Sequence, residues 1–388
     1  MKPTILMAAC FAMEKPDAEL IHFSSIANGL ARQGYAVSIF HLSLAGAPAI
    51  RSLLRPEIRF SEHSISARKR SLMFIKGGLT VPSFLHYLVK NQPDILYVRL
   101  GIVSALYVIA TRIMWRNQVK IITEHNGWIG PEALDSGKPR ILASIGKELQ
   151  KWSACCSHKV RAVSDGIKSY LVSLGIPEGK IAVIGNGTDT DHFHPQDIPA
   201  CYDIGFTGNL AHWQGLDWLM KACALLKKKL PEVRVAIAGS GPEEQNLRDL
   251  ITSTGLEHNA RMLGPVGYEE IPQVINQCRI CIAPFRPRGS QHDNKSLSPL
   301  KIRDYAACGK PIIASRIAGL EEIETGQFGL LVTPGDVQGL ADAMAQLLQD
   351  HALQQSMAIN ARTYAECHYA WGAITKQIAR QIEKLLSY

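Results

Sequence analysis

The sequence predicts an α/β protein of two domains, each built on a doubly wound parallel sheet. Short apolar runs typical of strands alternate with longer helix-like stretches along almost the whole chain, a pattern of parallel sheets covered by helices. A length of 388 residues exceeds what one hydrophobic core usually holds and suits two domains. Two similar domains should face each other across a cleft, with ligands at the carboxyl ends of the strands.

The first half of the chain contains continuous apolar runs that are short enough to be buried parallel strands. An amphipathic stretch follows the first run, and an apolar helix-like stretch follows the third. The predicted strands are residues 4–9, 35–40, 95–98 and 120–123, and the predicted helices are residues 18–33 and 104–115.

The second half repeats the same alternation. The predicted strands are residues 204–207, 233–238, 280–284 and 311–315, and the predicted helices are residues 215–228, 243–254 and 301–308. A segment that contains prolines and lacks periodicity, residues 195–201, separates the two halves. We therefore expect an N-terminal domain at 1–196, a C-terminal domain at 197–370, and a final helix at 371–388 that packs back toward the N-terminal domain.

The composition is that of a globular protein, with 46% apolar and 20% charged residues and a mean hydropathy of 0.00. No run approaches the roughly 18 apolar residues of a membrane-spanning helix. Residues 6–10 bear a faint likeness to a lipoprotein cleavage box, but a single preceding lysine, Lys2, favours a buried first strand. The nine cysteines show no framework spacing, and Cys278-x-x-Cys281 has no second pair to complete a zinc site. We expect free thiols in a cytoplasmic protein.

The net charge of +8 is concentrated at the N-terminus. Residues 1–150 contain 18 basic and 10 acidic residues, and the remainder is balanced. The densest cluster is Arg68, Lys69 and Arg70, followed by the apolar residues 72–75. Basic residues interleaved with large apolar ones suit an anionic membrane surface or an acidic lipid-linked substrate. A solvated surface explains three local charges equally well. No recognised nucleic-acid-binding module accompanies the cluster, so we expect no nucleic-acid partner.

Two short motifs have ordinary structural explanations. Asp189-x-Asp191 has the spacing with which some glycosyltransferases hold a metal, but it follows Asn186-Gly187, and we interpret it as a turn that binds no metal. Gly239-x-Gly241-Pro242 lies between a predicted strand and a predicted helix, where glycines permit close approach of a phosphate. The third glycine of the dinucleotide fingerprint is missing, so a tight turn explains this motif as well as a cofactor site does.

The segment from Ser298 to Pro311 is more informative. Pro299 is placed where a helix begins, and the free amides of the first turn, the Ser298 hydroxyl and the Lys301 ammonium could surround an anion such as a diphosphate. Asp304 lies one turn beyond Lys301, where it could accept hydrogen bonds from sugar hydroxyls. From the spacing alone, a well-capped structural helix is an equal alternative.

Several segments, taken in order, resemble family 4 of the retaining GT-B glycosyltransferases, whose fold is two Rossmann-like domains facing across a cleft. The resemblance covers residues 160–350 closely and the N-terminal half loosely. Each segment is weak alone, but their order is specific. The segments are residues 163–164 and 181–189 with Phe193-His194-Pro195, residues 206–210 with 213–216, residues 235–242, residues 263–265 with 271–272, residues 298–315, and residues 319–322 with 329–332.

The resemblance implies that the C-terminal domain holds a nucleotide-diphosphate sugar and the N-terminal domain binds the acceptor. It implies that His125 is the histidine that reaches the donor sugar and that Lys301 stabilises the diphosphate. It also implies that Asp304 binds the ribose hydroxyls. The donor-binding residues implied in this way are Gly208, Asn209, Gln214, Ser298, Pro299, Leu300, Lys301 and Asp304.

The resemblance implies a retaining transfer of a hexosyl group from a UDP- or GDP-sugar to a glycan or lipid-linked acceptor, in the synthesis of bacterial surface polysaccharide or glycoconjugate. Front-face substitution without a metal or other cofactor is expected, at the inner face of the cytoplasmic membrane. Asn209 and Gln214 replace the usual Arg and Lys, and Ser296 replaces the first usual acid. A non-catalytic partner subunit and a nucleotide-sugar 2-epimerase are the alternatives.

Overall fold

The computed structural model describes residues 2–11, 18–43, 49–64, 77–116, 118–130, 139–287 and 299–387. The chain divides into two compact units: residues 1–186 with 374–388 form unit 1, and residues 187–373 form unit 2. This division falls ten residues before the boundary predicted at 196/197. The assignment of acceptor and donor binding to separate domains stays a prediction.

Unit 1 is built on a seven-stranded sheet in the order β3-β2-β1-β4-β5-β6-β7, and every pairing is parallel. The strands are β1 (Thr4–Phe11), β2 (Ala36–Ser43), β3 (Arg59–Ser64), β4 (Ile95–Arg99), β5 (Lys120–His125), β6 (Lys159–Ala162) and β7 (Ile181–Val183). The described helices are α1 (Ala18–Arg32), α2 (Ala49–Leu53), α3 (Val81–Asn91), α4 (Ile102–Trp115), α5 (Arg140–Cys156) and α6 (Asp165–Ser173).

The central strands of unit 1 are buried on both faces, as parallel strands between two helical layers must be. Ile95 to Val98 and Ile121 to His125 are all buried. An aromatic group packs α3 and α4 on the sheet: the ring of Phe84 stacks on that of Tyr107 at 4.3 Å and meets that of Phe40 edge-on at 5.2 Å. The same apolar cluster includes buried residues of β4 and β5.

Unit 2 contains a six-stranded sheet in the order β10-β9-β8-β11-β12-β13, again with only parallel pairings. Its strands are β8 (Tyr202–Thr207), β9 (Val235–Ala238), β10 (Ala260–Gly264), β11 (Cys278–Ala283), β12 (Ile312–Ser315) and β13 (Gly329–Val332). The described helices are α7 (Leu216–Lys227), α8 (Glu244–Ser253), α9 (Ile271–Asn276), α10 (Leu300–Ala307), α11 (Glu322–Thr325), α12 (Val337–Gln349) and α13 (His351–Tyr364), followed by α14 (Trp371–Leu386).

Helix α14 begins in unit 2 and continues into unit 1. Its apolar residues recur at helical spacing and are buried, at Ile374, Ile378 and Ile382. Within unit 1, the side chain of Thr375 lies so close to Gly29 of α1 that any larger residue at position 29 would collide with it.

The prediction of two doubly wound parallel sheets is confirmed. In each sheet the strand order reverses once, between β1 and β4 in unit 1 and between β8 and β11 in unit 2. Such a reversal opens a crevice at the carboxyl ends of the two strands. Cys278 and Cys281 are buried free thiols in β11. No helix of the described segments combines the length and apolarity needed to cross a bilayer.

Candidate functional site

The strand reversal in unit 2 brings two glycine turns together. Gly208 follows β8 with φ +139°, and Gly239 follows β9 with φ +142°. A Cβ atom on Gly239 would overlap the carbonyl oxygen of Gly208, so the two turns require residues without side chains. A tight turn is present at Gly239, and the backbone beside Gly208 stays accessible, since Gly208 and Asn209 are exposed.

Lys301 extends from the first turn of α10 to the end of β8. Its Nζ donates a 2.7 Å hydrogen bond to Oε1 of the buried Gln214 and lies 3.7 Å from the centre of the Phe206 ring. A Cβ atom on Gly208 would stand 2.8 Å from the same Nζ. Burial lowers the pKa of Lys301 well below its usual value, although Asp304 acts in the opposite direction. The structure therefore unites three predicted donor residues: Gly208, Gln214 and Lys301.

Pro299 is the N-cap of α10, and Leu300 is the first helical residue, as the proline pattern predicts to within one position. The helix places its first-turn amides and Lys301 at the same end. Ser296 and Ser298 lie outside the described residues. Arg286, a second basic residue at the end of β11, is engaged elsewhere: its guanidinium pairs with Asp217 and stacks on the Trp218 ring at 4.1 Å.

Asp304 has a partner that the sequence does not indicate. Its Oδ1 accepts a 2.6 Å hydrogen bond from the Thr188 hydroxyl. Thr188 is itself fixed by the backbone, because its N–H donates to the Tyr369 carbonyl and its carbonyl accepts from Trp371. Burial raises the pKa of Asp304 to about 7, while the Thr188 hydrogen bond, Arg303 and Lys301 oppose the rise. Asp304 can therefore change charge near neutral pH.

The Asp189-x-Asp191 motif forms the predicted turn. Asp189 Oδ1 accepts hydrogen bonds from the backbone N–H groups of Asp191 and His192, at 3.1 and 3.2 Å. The imidazole of His192 stacks on the Tyr268 ring at 4.5 Å. No group of three or more metal-ligating side chains occurs among the described residues, which do not include 288–298.

In unit 1, a pocket of about 240 Å³ lies at the strand reversal. It opens beside β1 and at the carboxyl ends of β4 and β5, where the topology predicts a ligand. His125, the last residue of β5, is one of its lining residues. The pocket is lined by Ala9, Glu19, Arg99, Leu100, Gly101, His125, Asn126, Gly127, Ile129 and Gln150.

His125 is buried and both of its ring nitrogens contact protein groups. Nε2 lies 3.1 Å from the Thr123 hydroxyl, and Nδ1 lies 3.3 Å from Nε2 of Gln150. Burial lowers the pKa of His125 to about 3, although the charge of Glu124 acts to raise it. His125 is therefore neutral at physiological pH.

Glu124, the residue before His125, is a buried carboxylate in the middle of a polar network. Its oxygens contact His22 at 2.7 Å, Arg161 at 2.6 Å and Arg99 at 3.1 Å. Tyr97 and Asn126 also donate hydrogen bonds to it. Burial acts to raise the pKa of Glu124, but His22, Arg161 and Arg99 outweigh it and hold the pKa well below the usual value.

This network was not predicted from the sequence, although a glutamate within an apolar strand is a usable signal, since such residues are rarely buried without partners. The basic cluster Arg68, Lys69 and Arg70 lies outside the described residues.

Two family models match the chain. "Glycosyltransferase Family 4" matches residues 21–192, and "Glycosyl transferases group 1" matches residues 201–350. Among curated relatives, the chain is 24% identical over 320 residues to a GDP-mannose-dependent monoacylated alpha-(1-6)-phosphatidylinositol monomannoside mannosyltransferase of Corynebacterium glutamicum, covering 79% of this chain and 81% of that protein.

Two solved structures share the fold over essentially the whole chain. Sucrose-phosphate synthase from Thermosynechococcus elongatus superposes with a TM-score of 0.77 at 18% identity and covers 100% of both chains. Anabaena Alr3699/HepE in complex with UDP superposes with a TM-score of 0.74 at 20% identity, covering 99% of this chain and 100% of that one.

Proposed function

Because this chain belongs to the group 1 glycosyltransferases of family 4 and has the GT-B architecture, we propose that it is a retaining hexosyltransferase that uses a UDP- or GDP-sugar. The acceptor is a hydroxyl of a glycan or lipid-linked molecule, in the synthesis of a bacterial surface polysaccharide or glycoconjugate. Use of a nucleotide sugar follows from the family, whereas retention, the hexose and the acceptor are parts of the proposal.

Lys301 is the main support for the proposed nucleotide-sugar site in unit 2. Among the described residues no carboxylate pairs with its ammonium group within ion-pair distance, and its 2.7 Å hydrogen bond goes to the neutral Gln214. A partly buried cation in such a position has a large unmet attraction for an anion. The accessible backbone at Gly208 and the positive end of the α10 dipole lie beside it, so a diphosphate would meet all three.

The position of Asp304 supports a nucleoside diphosphate, rather than a simple inorganic anion, as the ligand of this site. It follows Lys301 by one helical turn, and a carboxylate there accepts hydrogen bonds from ribose hydroxyls. Asn209, exposed beside Gly208, adds a neutral donor in the place of the usual arginine. Ser298 and Pro299 complete the proposed donor loop, in which Leu300 contributes a backbone N–H.

The proposed chemistry is front-face substitution, in which the departing diphosphate accepts the proton of the incoming hydroxyl. The protein then has to stabilise charge that develops on the diphosphate, and fixed donors do this best. We assign this role to Lys301, Gln214 and the N-terminus of α10, without a metal ion.

The pocket of unit 1 is the proposed acceptor site. Oδ1 of Asn126 is buried and accepts no hydrogen bond from any described residue, so an acceptor hydroxyl can donate to it. Arg99 and Glu19 line the same pocket and give it the polar character that a hydroxyl-rich acceptor requires.

The membrane is the proposed location of the acceptor, through Arg68, Lys69 and Arg70. The exposed face of α5 in the same unit adds apolar side chains, since Ile141 is 69% and Trp152 59% exposed. Exposed apolar side chains on a helix are suited to insertion among lipid headgroups, and basic residues are suited to anionic ones. Charge reversal at the three basic residues should abolish cosedimentation with phosphatidylglycerol vesicles. The same reversal at three exposed basic residues of α14, Lys376, Arg380 and Lys384, should leave it intact.

The experiment that tests the donor assignment is a thermal-shift screen with UDP, GDP, ADP and TDP, with and without magnesium, followed by turnover of the matching sugar nucleotides. One diphosphate should raise the melting temperature, because ligand at about 100 times its dissociation constant stabilises by about 2.7 kcal/mol. Binding without transfer to any acceptor or water would favour a partner subunit. Release of an epimerised sugar would favour a 2-epimerase. A dependence of the shift on magnesium would contradict the metal-free site.

A further inference from the structure

The side-chain amide of Gln150 has its orientation fixed by two backbone groups of opposite character. Its Nε2 donates a 2.8 Å hydrogen bond to the carbonyl oxygen of Gly127, and its Oε1 accepts a 3.0 Å hydrogen bond from the N–H of Ile129. A flipped amide would set oxygen against oxygen and nitrogen against nitrogen, so only one orientation satisfies both neighbours. Gln150 is a fully buried residue of α5, so water cannot replace either hydrogen-bond partner.

This orientation decides what His125 can do. The nitrogen of Gln150 that faces Nδ1 of His125 is a donor, so Nδ1 has to be the acceptor. In a neutral ring the proton then resides on Nε2, which lies 3.1 Å from the Thr123 hydroxyl.

The hydroxyls beyond Thr123 are compatible with only that direction. The Ser157 hydroxyl lies 2.6 Å from the backbone carbonyl oxygen of Ser153, which can only accept a hydrogen bond. Ser157 therefore donates its hydroxyl proton to that carbonyl. Ser157 must therefore accept from Thr123 at 2.8 Å, and Thr123 in turn accepts from His125. In this chain of hydrogen bonds each group donates to the next, from the Gln150 amide through His125 and the two hydroxyls to the Ser153 carbonyl. Reversing any one hydrogen bond leaves a buried group unpaired.

We infer that Gln150 is a positioning residue that locks His125 as a neutral imidazole with its proton on Nε2, so that His125 shapes the acceptor pocket but transfers no proton. The inference rests on the proposed function for the identification of this pocket as the acceptor site. It deepens that proposal, because it leaves the departing diphosphate as the base for the incoming hydroxyl.

The charges around the ring are compatible with this state. Glu124 is the charged group adjacent to His125, and Arg99, Arg161 and His22 already engage its carboxylate. Arg99 and Glu19 line the pocket and pair with each other at 3.3 Å. None of these groups presents an acceptor to Nδ1 among the contacts of the described residues, and protonation there would place two donors face to face.

The test is a long-range ¹H–¹⁵N NMR spectrum of the full-length protein labelled at histidine, with the His125 signals assigned by their loss in His125→Ala. The expected result is an unprotonated Nδ1 and a protonated Nε2 that do not change between pH 5 and 9. A protonated Nδ1, or a titration within that range, would overturn the inference. This measurement needs no substrate, so it stands even if the proposed transferase activity is not found.

Gln150→Glu replaces the donor by an acceptor of the same size. Nδ1 of His125 should then acquire a proton, kcat should fall about tenfold with a smaller change in KM, and activity should recover as the pH rises. Gln118→Glu makes the same chemical change at an exposed position of unit 1 and should alter neither the spectrum nor the kinetics. If Nδ1 stays unprotonated in Gln150→Glu, Gln150 does not set the state of His125.

Discussion

The two strand-reversal sites of this molecule differ in whether the charged side chain at the site has partners of opposite charge. In unit 1, Glu124 is buried and its carboxylate contacts two arginines, a histidine, a tyrosine and an asparagine. In unit 2, Lys301 is partly buried and its contacts are an amide oxygen and the faces of aromatic rings. One site has its charge neutralised by the fold, whereas in the other burial lowers the pKa of Lys301, and an anionic ligand would favour its charged form.

This difference suggests different tasks for sites of similar topology. A carboxylate with all its partners contributes a rigid wall, and the neutral His125 beside it does not titrate near neutrality. A cation without a carboxylate partner is suited to binding, because the ligand supplies the missing interaction. The comparison predicts that mutations in unit 1 mainly lower stability and that mutations in unit 2 mainly lower activity.

The largest effect is expected from Glu124→Gln. The substitution preserves shape but leaves the buried Arg161 without its carboxylate partner, and removing one partner of such a network typically costs about 3–5 kcal/mol. Urea denaturation of the full-length protein measures the change, and native-state hydrogen exchange should place it in β4, β5 and β6. Glu148→Gln, at an exposed position of α5, is the matched control and should stay within about 0.5 kcal/mol. A similar loss in both variants would remove the contrast between the sites.

Lys301→Ala should have the largest effect on activity. Loss of one preorganised donor to a developing charge lowers turnover about 100-fold, which corresponds to about 2.7 kcal/mol. Stability should hardly change, or should rise, because a desolvated cation is removed from the apoprotein. Steady-state kinetics with the nucleotide sugar identified by the thermal-shift screen measures the effect. Lys227→Ala changes a half-buried lysine of α7 whose Nζ donates to the Gly255 carbonyl in the same unit, and it should keep normal turnover. Unchanged activity in Lys301→Ala would remove Lys301 from the donor site.

The sequence predicts those parts of the fold and the site that depend on neighbours in the chain. Continuous apolar runs are sufficient to predict β1, β4, β5 and β11, and the spacing of Pro299, Lys301 and Asp304 predicts the start and one face of α10. Strand β3 was not predicted, because Arg59–Ser64 is a mostly polar edge strand without an apolar run. Its pairing with β2, rather than its composition, makes it a strand.

Contacts between distant residues could not be predicted in the same way. His22 meets Glu124 across 102 positions, and Thr188 meets Asp304 across 116. Gln150 lies 25 residues from His125 on another element, and nothing in its local sequence distinguishes it from a surface glutamine. Such pairs are fixed by the strand order of the sheet, which alternation alone leaves undetermined.

A smaller effect is expected from Thr188→Val. The substitution keeps the shape of the side chain but removes the hydroxyl that donates to Asp304, and the pKa of Asp304 should rise further. A larger protonated fraction weakens Asp304 as an acceptor for ribose hydroxyls, so KM for the nucleotide sugar should rise about fivefold, in line with one hydrogen bond of about 1 kcal/mol. The kinetic comparison at pH 6 and pH 8 checks the cause, since the defect should be greater at pH 6. A change confined to kcat would contradict it.

The last expected effect is a difference in the sign of the pH dependence of stability between the two acids. The pKa of Asp304 is raised from 3.8 to about 7 in the folded protein. Between these values the unfolded chain releases a proton that the folded chain retains, so Asp304 makes the protein less stable as the pH rises from about 4 to 7.

Glu124 has the opposite sign, because its lowered pKa gives stability that is present above pH 4.5 and lost as the pH falls further. Urea denaturation of Asp304→Asn and of wild type at pH 4.5, 6 and 7.5 should therefore show the variant gaining relative stability with pH. The same series for Glu124→Gln should show the variant losing relative stability as the pH rises from 3.5 to 5. Parallel curves for both variants would mean that the two sites do not differ in how the fold treats their charge.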